Sequence, residues 1–173
     1  MILDNRKIDL VAEGVDLALR VSSVDLPPTL IVRPLSEIVF YLVGETEYLQ
    51  RHGTPSTPQE IPAYNFVQAS YVDMEHIKIS RDGEHFTLAP NSTIRADNTP
   101  MVREMVLAGG GLGCLPVWTV KRDLDSGRLV RLLPEWRILS ATLYAAYADR
   151  AFLSAKIRSF IDFLVEKIKQ EAV

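Results

Sequence analysis

The chain has 173 residues, of which 47% are hydrophobic and 24% are charged, and a formal net charge of −3. This balance is typical of a globular protein with a real core, and the lack of a basic excess argues against direct binding of nucleic acid. A single cysteine excludes an internal disulfide framework. No apolar run is long enough for a membrane span or a signal sequence, which predicts a cytoplasmic protein without a membrane partner.

The first third of the sequence predicts short extended segments joined by turns. Apolar or β-branched runs that are typical of strands occur at 16–21, 30–35 and 37–44. The first of these runs is apolar enough to predict burial on both faces. Helical spacing occurs at 6–13, before Gly14, and at 46–51. The proline-rich stretch 54–62 is the best candidate for a linker.

The rest of the chain alternates between strands and helices. Residues 77–88 alternate around Asp82-Gly83, which is a strong hairpin signal. A helix is predicted over 117–124 and an amphipathic helix from Ser154 to about residue 170. One apolar face of that last helix is formed by Ile157, Phe160, Ile161, Leu164 and Ile168. Further strands are predicted at 66–72, 92–96, 129–133 and 141–147.

The stretch 95–116 is the most informative part of the sequence. Its polar turn predicts a helix start, with Thr99 as the N-cap and Pro100 at the first helical position. Glycines at 109–111 end that helix, and 112–115 is a short buried strand. A strand–helix–strand unit builds a parallel sheet, in which ligands bind at helix N-termini beyond the strand ends. Residues 97–100 are therefore the first candidate for a ligand site.

No motif in the sequence supports catalysis or a metal site. The glycines at 109–113 follow a helix, whereas phosphate loops lead into one, so nucleotide binding there is disfavoured. The three histidines lack metal-ligand spacing, and Cys114 lies in an apolar strand as a small buried side chain. The carboxylates of Asp123 and Asp125 are interpreted as solvated. We therefore predict no enzyme activity, no cofactor and no metal.

Three arginines near strand ends are candidates for binding a carboxylate, namely Arg20, Arg33 and Arg95. Each of them can equally form a surface ion pair, and the neighbouring acids are Asp16, Glu37 and Asp97. The sequence leaves both interpretations open.

Seven segments, in the right order, resemble the effector-binding domain of LysR-type transcriptional regulators. They are DLVAEGVDLALRV (9–21), IVRPL (31–35), YLQRHGTPSTPQEI (48–61), RDGEHFTL (81–88), IRADNTPMVREMVLAGGGLGCLPVWTV (94–120), GRLVRLLPEW (127–136) and LSAKIRSFIDFLVE (153–166). The similarity covers nearly the whole chain, and the order of the segments makes it specific.

The resemblance implies an α/β fold of two lobes, like a type 2 periplasmic binding protein, with a small-molecule cleft. Lobe one is expected at 1–63 plus 141–173 and lobe two at 64–140, with crossings near 63–66 and 140–142. The matching positions expected to contact the effector are Ser22, Ser23, Gln68, Ser70, Asn98, Thr99 and Pro100. The function implied is effector sensing and oligomerisation, as a homodimer or tetramer, in response to a small molecule such as an organic acid.

Two parts of the family pattern are not matched. The helix-turn-helix domain, through which family members contact DNA, has no counterpart in this sequence. The first strand and helix of the effector domain are also unmatched, so lobe one is expected to be incomplete at its N-terminus, with an unfilled seam in its sheet. Met1 is accordingly predicted to be a misassigned start or a fragment boundary, unless a partner chain supplies the strand.

Two other classes of protein are alternatives to this hypothesis. A solute-binding protein of a transporter has the same fold, but the sequence shows no export signal and no lipid-attachment cysteine near its start. An enzyme on an α/β scaffold is disfavoured by the lack of catalytic motifs.

Overall fold

The structure, a computed structural model, describes residues 10, 12–22, 30–70, 77–138, 140–147 and 155–171. Its strands, in chain order, are β1 (Ala18–Ser22), β2 (Ile31–Ile38), β3 (Phe40–Glu45), β4 (Asn65–Ala69), β5 (Ile77–Arg81), β6 (Glu84–Leu88), β7 (Asn91–Ala96), β8 (Leu112–Pro116), β9 (Leu129–Leu132), β10 (Arg137–Ile138) and β11 (Ala141–Tyr147). Its α-helices are α1 (Thr46–His52), α2 (Thr99–Leu107), α3 (Val117–Asp125) and α4 (Ala155–Glu171), and Pro58–Ala63 forms a 3-10 helix.

Contacts divide the described residues into two compact units. Unit 1 takes in 39–70 and 77–138, and unit 2 takes in 10–38 and 140–171 apart from the residues that the structure does not describe. The first boundary therefore differs from the one expected near residue 63. The reason is that β3 pairs with β8 and β9, so residues 39–63 fold with unit 1 and the stretch 54–62 joins elements of the same unit. The second boundary lies next to Ser140.

The main sheet of unit 1 has five strands in the order β7-β4-β8-β3-β9. β4 is parallel to both β7 and β8, whereas β3 is antiparallel to β8 and β9. All five residues of β8 are buried, including Cys114, as its apolar sequence predicts. The carboxyl ends of β7, β4 and β8 consequently meet at one edge of the sheet, which we call the C-edge.

A second, three-stranded sheet in unit 1 has the order β10-β5-β6. The predicted hairpin is confirmed, since β5 and β6 pair through Asp82 and Gly83, both at positive φ (47° and 85°). Two positive φ values are typical of a type I′ turn, whose twist matches that of the strands. The inner face of this sheet joins the core through Ile77, Ile79 and Leu88.

The predicted glycine stop after α2 is confirmed, and Gly111 has a second role. Its φ is 143°, and a Cβ added there would lie 2.4 Å from the backbone oxygen of Asn65. Only glycine allows the chain to enter β8 so close to the start of β4. The glycine cluster is thus explained by packing.

Unit 2 has a three-stranded sheet in the order β1-β11-β2, and α4 packs on β2. Ile161 of α4 is buried, and Arg33 of β2 forms an exposed ion pair with Asp162 at 3.2 Å. The prediction that residues 16–21 are buried on both faces was wrong. Leu19 and Val21 of β1 are 47% and 53% exposed, and Phe160, assigned to the apolar face of α4, is 46% exposed. Apolar character alone did not distinguish a covered strand from an edge strand.

Several predictions fall on residues that the structure does not describe. They concern most of the helix at 6–13, the capping residue Ser154, and Ser23. In the part of the chain that is described, no helix combines the length and the apolar character of a membrane span.

Candidate functional site

The C-edge of unit 1 brings together the candidate residues that precede and begin α2. In the parallel register, Gln68 lies beside Arg95 and Ala69 beside Ala96, so β4 and β7 end at the same level. Ser70 follows β4 directly, and Asn98 follows β7 by two residues. The parallel pairing therefore places the ends that carry Gln68, Ser70 and Asn98 on a common edge, as the strand–helix–strand pattern predicts.

Ser70 is fixed at this edge by two hydrogen bonds to the same acceptor. Its backbone N–H donates to the carbonyl oxygen of Ala96 at 2.8 Å, and its hydroxyl donates to that oxygen at 3.1 Å. A hydroxyl has one donor and two acceptor lone pairs. Ser70 is thus held in place with acceptor capacity left for a ligand.

Gln68, the next-to-last residue of β4, carries an unusual polar group. Its side chain is 3% exposed, and its Oε1 is buried without a hydrogen-bond donor among the described residues. An unsatisfied buried acceptor costs on the order of 1–3 kcal/mol. A ligand hydroxyl or N–H group that reached this oxygen would remove that cost.

The start of α2 is organised by Asn98, not by Thr99. Asn98 has extended backbone angles, and its Oδ1 accepts a hydrogen bond from the Met101 N–H at 2.8 Å, so it is the N-cap. Its Nδ2 donates to Asp97 at 2.8 Å. The prediction of Thr99 as the cap was therefore wrong by one residue, because the amide of Asn98 reaches the same backbone groups as a threonine hydroxyl would. Thr99 begins the helix, with Pro100 next to it.

A buried carboxylate holds the three elements behind the C-edge together. Asp123 of α3 is 0% exposed and accepts hydrogen bonds from Arg103 of α2, with Nε at 2.6 Å and Nη2 at 2.8 Å. Arg128, just before β9, donates to the same carboxylate. Hydrogen bonding to Asp123 raises the pKa of Arg103. The expectation of a solvated Asp123 was wrong, since it is buried and pairs with Arg103 and Arg128, which are 20 and 5 residues away in sequence.

The other sequence candidates do not gather into a catalytic or metal site. Burial raises the pKa of the Cys114 thiol to about 12, so this thiol stays protonated at neutral pH and is a poor nucleophile. Within the described ranges, no group of three histidine, cysteine or acidic side chains has metal-binding geometry. Arg33 forms an exposed ion pair with Asp162, not with the neighbouring Glu37.

Two residues at the C-edge were not singled out by the sequence. Thr119, in the first turn of α3, donates from its hydroxyl to the Pro116 carbonyl at 2.7 Å, and Trp118 beside it is 68% exposed. The predicted helix at 117–124 could have identified these two residues, because a helix that directly follows β8 must start at the C-edge. Ser22 ends β1 in unit 2, where it pairs with Thr142.

A family model described as the LysR substrate binding domain matches residues 2–169. The chain belongs to this family. Its LysR-type relatives include the probable HTH-type transcriptional regulator LtrA of Klebsiella pneumoniae, 32% identical over 171 residues, which are 96% of this chain and 55% of that protein. HTH-type transcriptional regulator DmlR of Escherichia coli strain K12 is 29% identical over 166 residues, covering 94% and 53%.

Solved structures agree with the LysR assignment. The regulatory domain of CrgA, a LysR-type regulator from Neisseria meningitidis, matches with a TM-score of 0.78 and 26% identity, over 91% of this chain and 77% of that one. The full-length virulence activator AphB of Vibrio cholerae matches in fold with a TM-score of 0.80 at 23% identity, over 96% and 56%.

These findings confirm the predicted family and fold class. The fold is the type 2 periplasmic-binding-protein-like fold of LysR regulatory domains, and the chain is homologous to the effector-binding domains of transcriptional regulators. The LysR family consists of transcriptional regulators, not enzymes, and the transporter alternative is not favoured. The chain spans about half the length of the curated relatives it matches.

Proposed function

We propose that the C-edge of unit 1 contacts a small-molecule effector through Gln68, Ser70, Asn98, Thr99 and Pro100. The observation that carries the proposal is the buried Oε1 of Gln68, which lacks a donor among the described residues and belongs to the residue before the last of β4. Ser22 and Ser23 stay predictions from the LysR resemblance.

The chemistry of the edge favours a small organic acid that also carries a donor group. The N-terminus of α2 presents the positive end of the helix dipole, which favours a carboxylate. The Oε1 of Gln68 and the lone pairs of Ser70 require a donor, such as a ligand hydroxyl. A hydroxy acid supplies both groups in one molecule.

The proposal extends to the complete regulator. We infer that it acts in the cytoplasm, as a homodimer or tetramer, and contacts DNA through a helix-turn-helix segment outside these 173 residues. The exposed Trp118 is consistent with contact to a second copy. Sedimentation equilibrium tests the assembly, with a mass above the 19.4 kDa of the chain as the expected result and a monomer at all concentrations as the contradicting one.

Titration calorimetry against a panel of hydroxy acids, dicarboxylic acids and aromatic acids tests the effector site. We expect at least one acid to bind, and we expect Ser70→Ala to weaken that binding about tenfold through the loss of one hydrogen bond. Ser36→Ala, which removes an exposed hydroxyl that donates to Glu37 in unit 2, is the matched control. Unchanged binding by Ser70→Ala, or no binding of any acid, contradicts the proposal.

A further inference from the structure

The second sheet of unit 1 ends in an unpaired strand. In the order β10-β5-β6, β6 pairs with β5 on one side, and no described residue pairs with its other side. This free side, which we call the β6 edge, lies near the 3-10 helix Pro58–Ala63. That helix precedes the start of β4, whereas the C-edge lies at the end of β4. The β6 edge is therefore near the end of β4 that is opposite the C-edge.

The backbone of the β6 edge has the pattern that accepts another strand. In a hairpin with a two-residue loop, the residue pair that flanks the turn is hydrogen-bonded, and here it is Arg81 and Glu84. Further along the two strands, hydrogen-bonded and non-hydrogen-bonded pairs alternate. His85 and Thr87 therefore belong to non-hydrogen-bonded pairs and direct their N–H and C=O groups away from β5. Neither residue has a backbone hydrogen-bond partner on that side in the described part of the chain.

Two adjoining cavities lie against β6. The larger, of about 500 Å³, is lined by Arg81, Glu84, His85, Phe86 and Trp136 and by the facing segment 56–59. The smaller, of about 340 Å³, lies against the β5–β6 pair and is lined by 78–80 and 85–87. Both volumes lie within the range of about 300–1,000 Å³ that is typical of ligand sites.

The facing wall is held in place by its own hydrogen bonds. Glu60 accepts hydrogen bonds from the backbone N–H and the hydroxyl of Ser56 and from the hydroxyl of Thr57, each at 3.0 Å. These bonds lower the pKa of Glu60, so its carboxylate stays ionised and the bonds persist at neutral pH. The larger cavity is thus bounded by an organised loop on one side and by the β5–β6 hairpin and Trp136 on the other.

The side chains around the edge define the chemistry of an occupant. The outer face of the sheet carries His85 on β6 and Lys78 on the neighbouring strand β5, and Lys78 has no ion-pair partner among the described residues, whereas Arg137 lies on β10 at the opposite edge. The acid at the edge, Glu84, is already paired with Arg81 at 3.0 Å. On the inner face, Phe86 is half-buried and leaves an apolar surface.

We propose that the β6 edge binds an extended peptide segment of a partner protein by strand addition, with acidic side chains on either side of an apolar one. The peptide backbone would bond to the outward groups of His85 and Thr87. Its acidic side chains would lie on the outer face, on the side of Lys78, and its apolar side chain would pack on Phe86. This site is independent of the proposed effector site.

Fluorescence anisotropy with a labelled, end-blocked pentapeptide of alternating glutamate and valine tests the proposal on the full chain. We expect this peptide to bind at least tenfold more tightly than the same peptide with lysine in place of glutamate. Lys78→Glu should weaken the binding of the glutamate peptide severalfold. Lys121→Glu, which makes the same charge change on the exposed face of α3, should leave it unchanged.

The backbone contact has its own test. Thr87→Pro removes an N–H that points outward, which an edge strand tolerates, and should abolish binding, whereas Thr87→Val keeps the N–H and should preserve it. Should Thr87→Pro fail to fold, amide hydrogen exchange of the wild-type chain decides, with slower exchange at His85 and Thr87 when the glutamate peptide is added. Any one of four results overturns the proposal. Two concern the peptides: the glutamate peptide does not bind, or the lysine peptide binds equally well. The other two are that a folded Thr87→Pro variant binds the glutamate peptide as tightly as the wild type does, or that the exchange of the His85 and Thr87 amides is unchanged by the peptide.

Discussion

At the scale of single residues, Asp123 determines how α2 sits behind the C-edge. A fully buried carboxylate is tolerated only when its oxygens are paired, and here two arginines from different elements donate to it. Arg103 lies on α2 and Arg128 lies just before β9. This one side chain therefore links α2, α3 and the chain that enters β9.

We expect Asp123→Ala to destabilise the chain by about 3 kcal/mol, because it removes the carboxylate that Arg103 and Arg128 share and leaves the partly buried Arg103 with only the exposed Glu104 as its counter-ion. Urea denaturation followed by circular dichroism measures the change in the free energy of unfolding. The control is Asp125→Ala, an exposed acid two residues away, which should cost less than about 0.5 kcal/mol. Equal effects of the two substitutions would show that the buried ion pairs contribute nothing specific.

The sequence contains the capping residues and the ion-pair partners but not their pairing. Both Asn98 and Thr99 are good N-caps, and a pattern of residue types does not decide between neighbours. Asp123 lies beside Arg122 and Asp125 in sequence, which suggested a solvated position, whereas its real partners are 20 and 5 residues away. Contacts of this kind depend on which strands become neighbours.

At the scale of secondary structure elements, the entry into β8 depends on Gly111. Glycine-rich stretches often look like phosphate sites, but this one is required by the close approach of the chain to Asn65. Most elements were predictable, because glycine, proline and apolar spacing act locally. The exposure of β1 and the free edge of β6 were not, because the order of strands in a sheet is a long-range property.

Gly111→Ala should destabilise the chain by about 3 kcal/mol or more, since its Cβ would overlap the Asn65 backbone and its φ of 143° strains any other residue. Gly127→Ala is the matched control, because its φ is 73° but no atom lies within 4 Å of the added Cβ. It should cost only the strain, about 1 kcal/mol. Thermal unfolding of both variants gives the comparison, and a smaller loss for Gly111→Ala than for Gly127→Ala would contradict this role.

At the scale of the whole molecule, the family and fold class were predictable and one domain boundary was not. Seven ordered segments carried the LysR resemblance, and the family match over residues 2–169 agrees with it. The proline-rich stretch 54–62 suggested a linker, yet the chain passes from unit 2 to unit 1 between Ile38 and Val39. β2 and β3 are separated by a single residue, and so short a connection gives no compositional signal.

The claim that the C-edge of unit 1 binds the effector is tested most directly by amide hydrogen exchange of the wild-type chain, with and without the acid that calorimetry selects. We predict slower exchange at 68–70 and 97–102, because a bound ligand orders these backbone groups, and unchanged exchange at the β6 edge, 84–88. Slower exchange confined to other segments, or no change at 68–70 and 97–102 under saturating acid, would contradict the account.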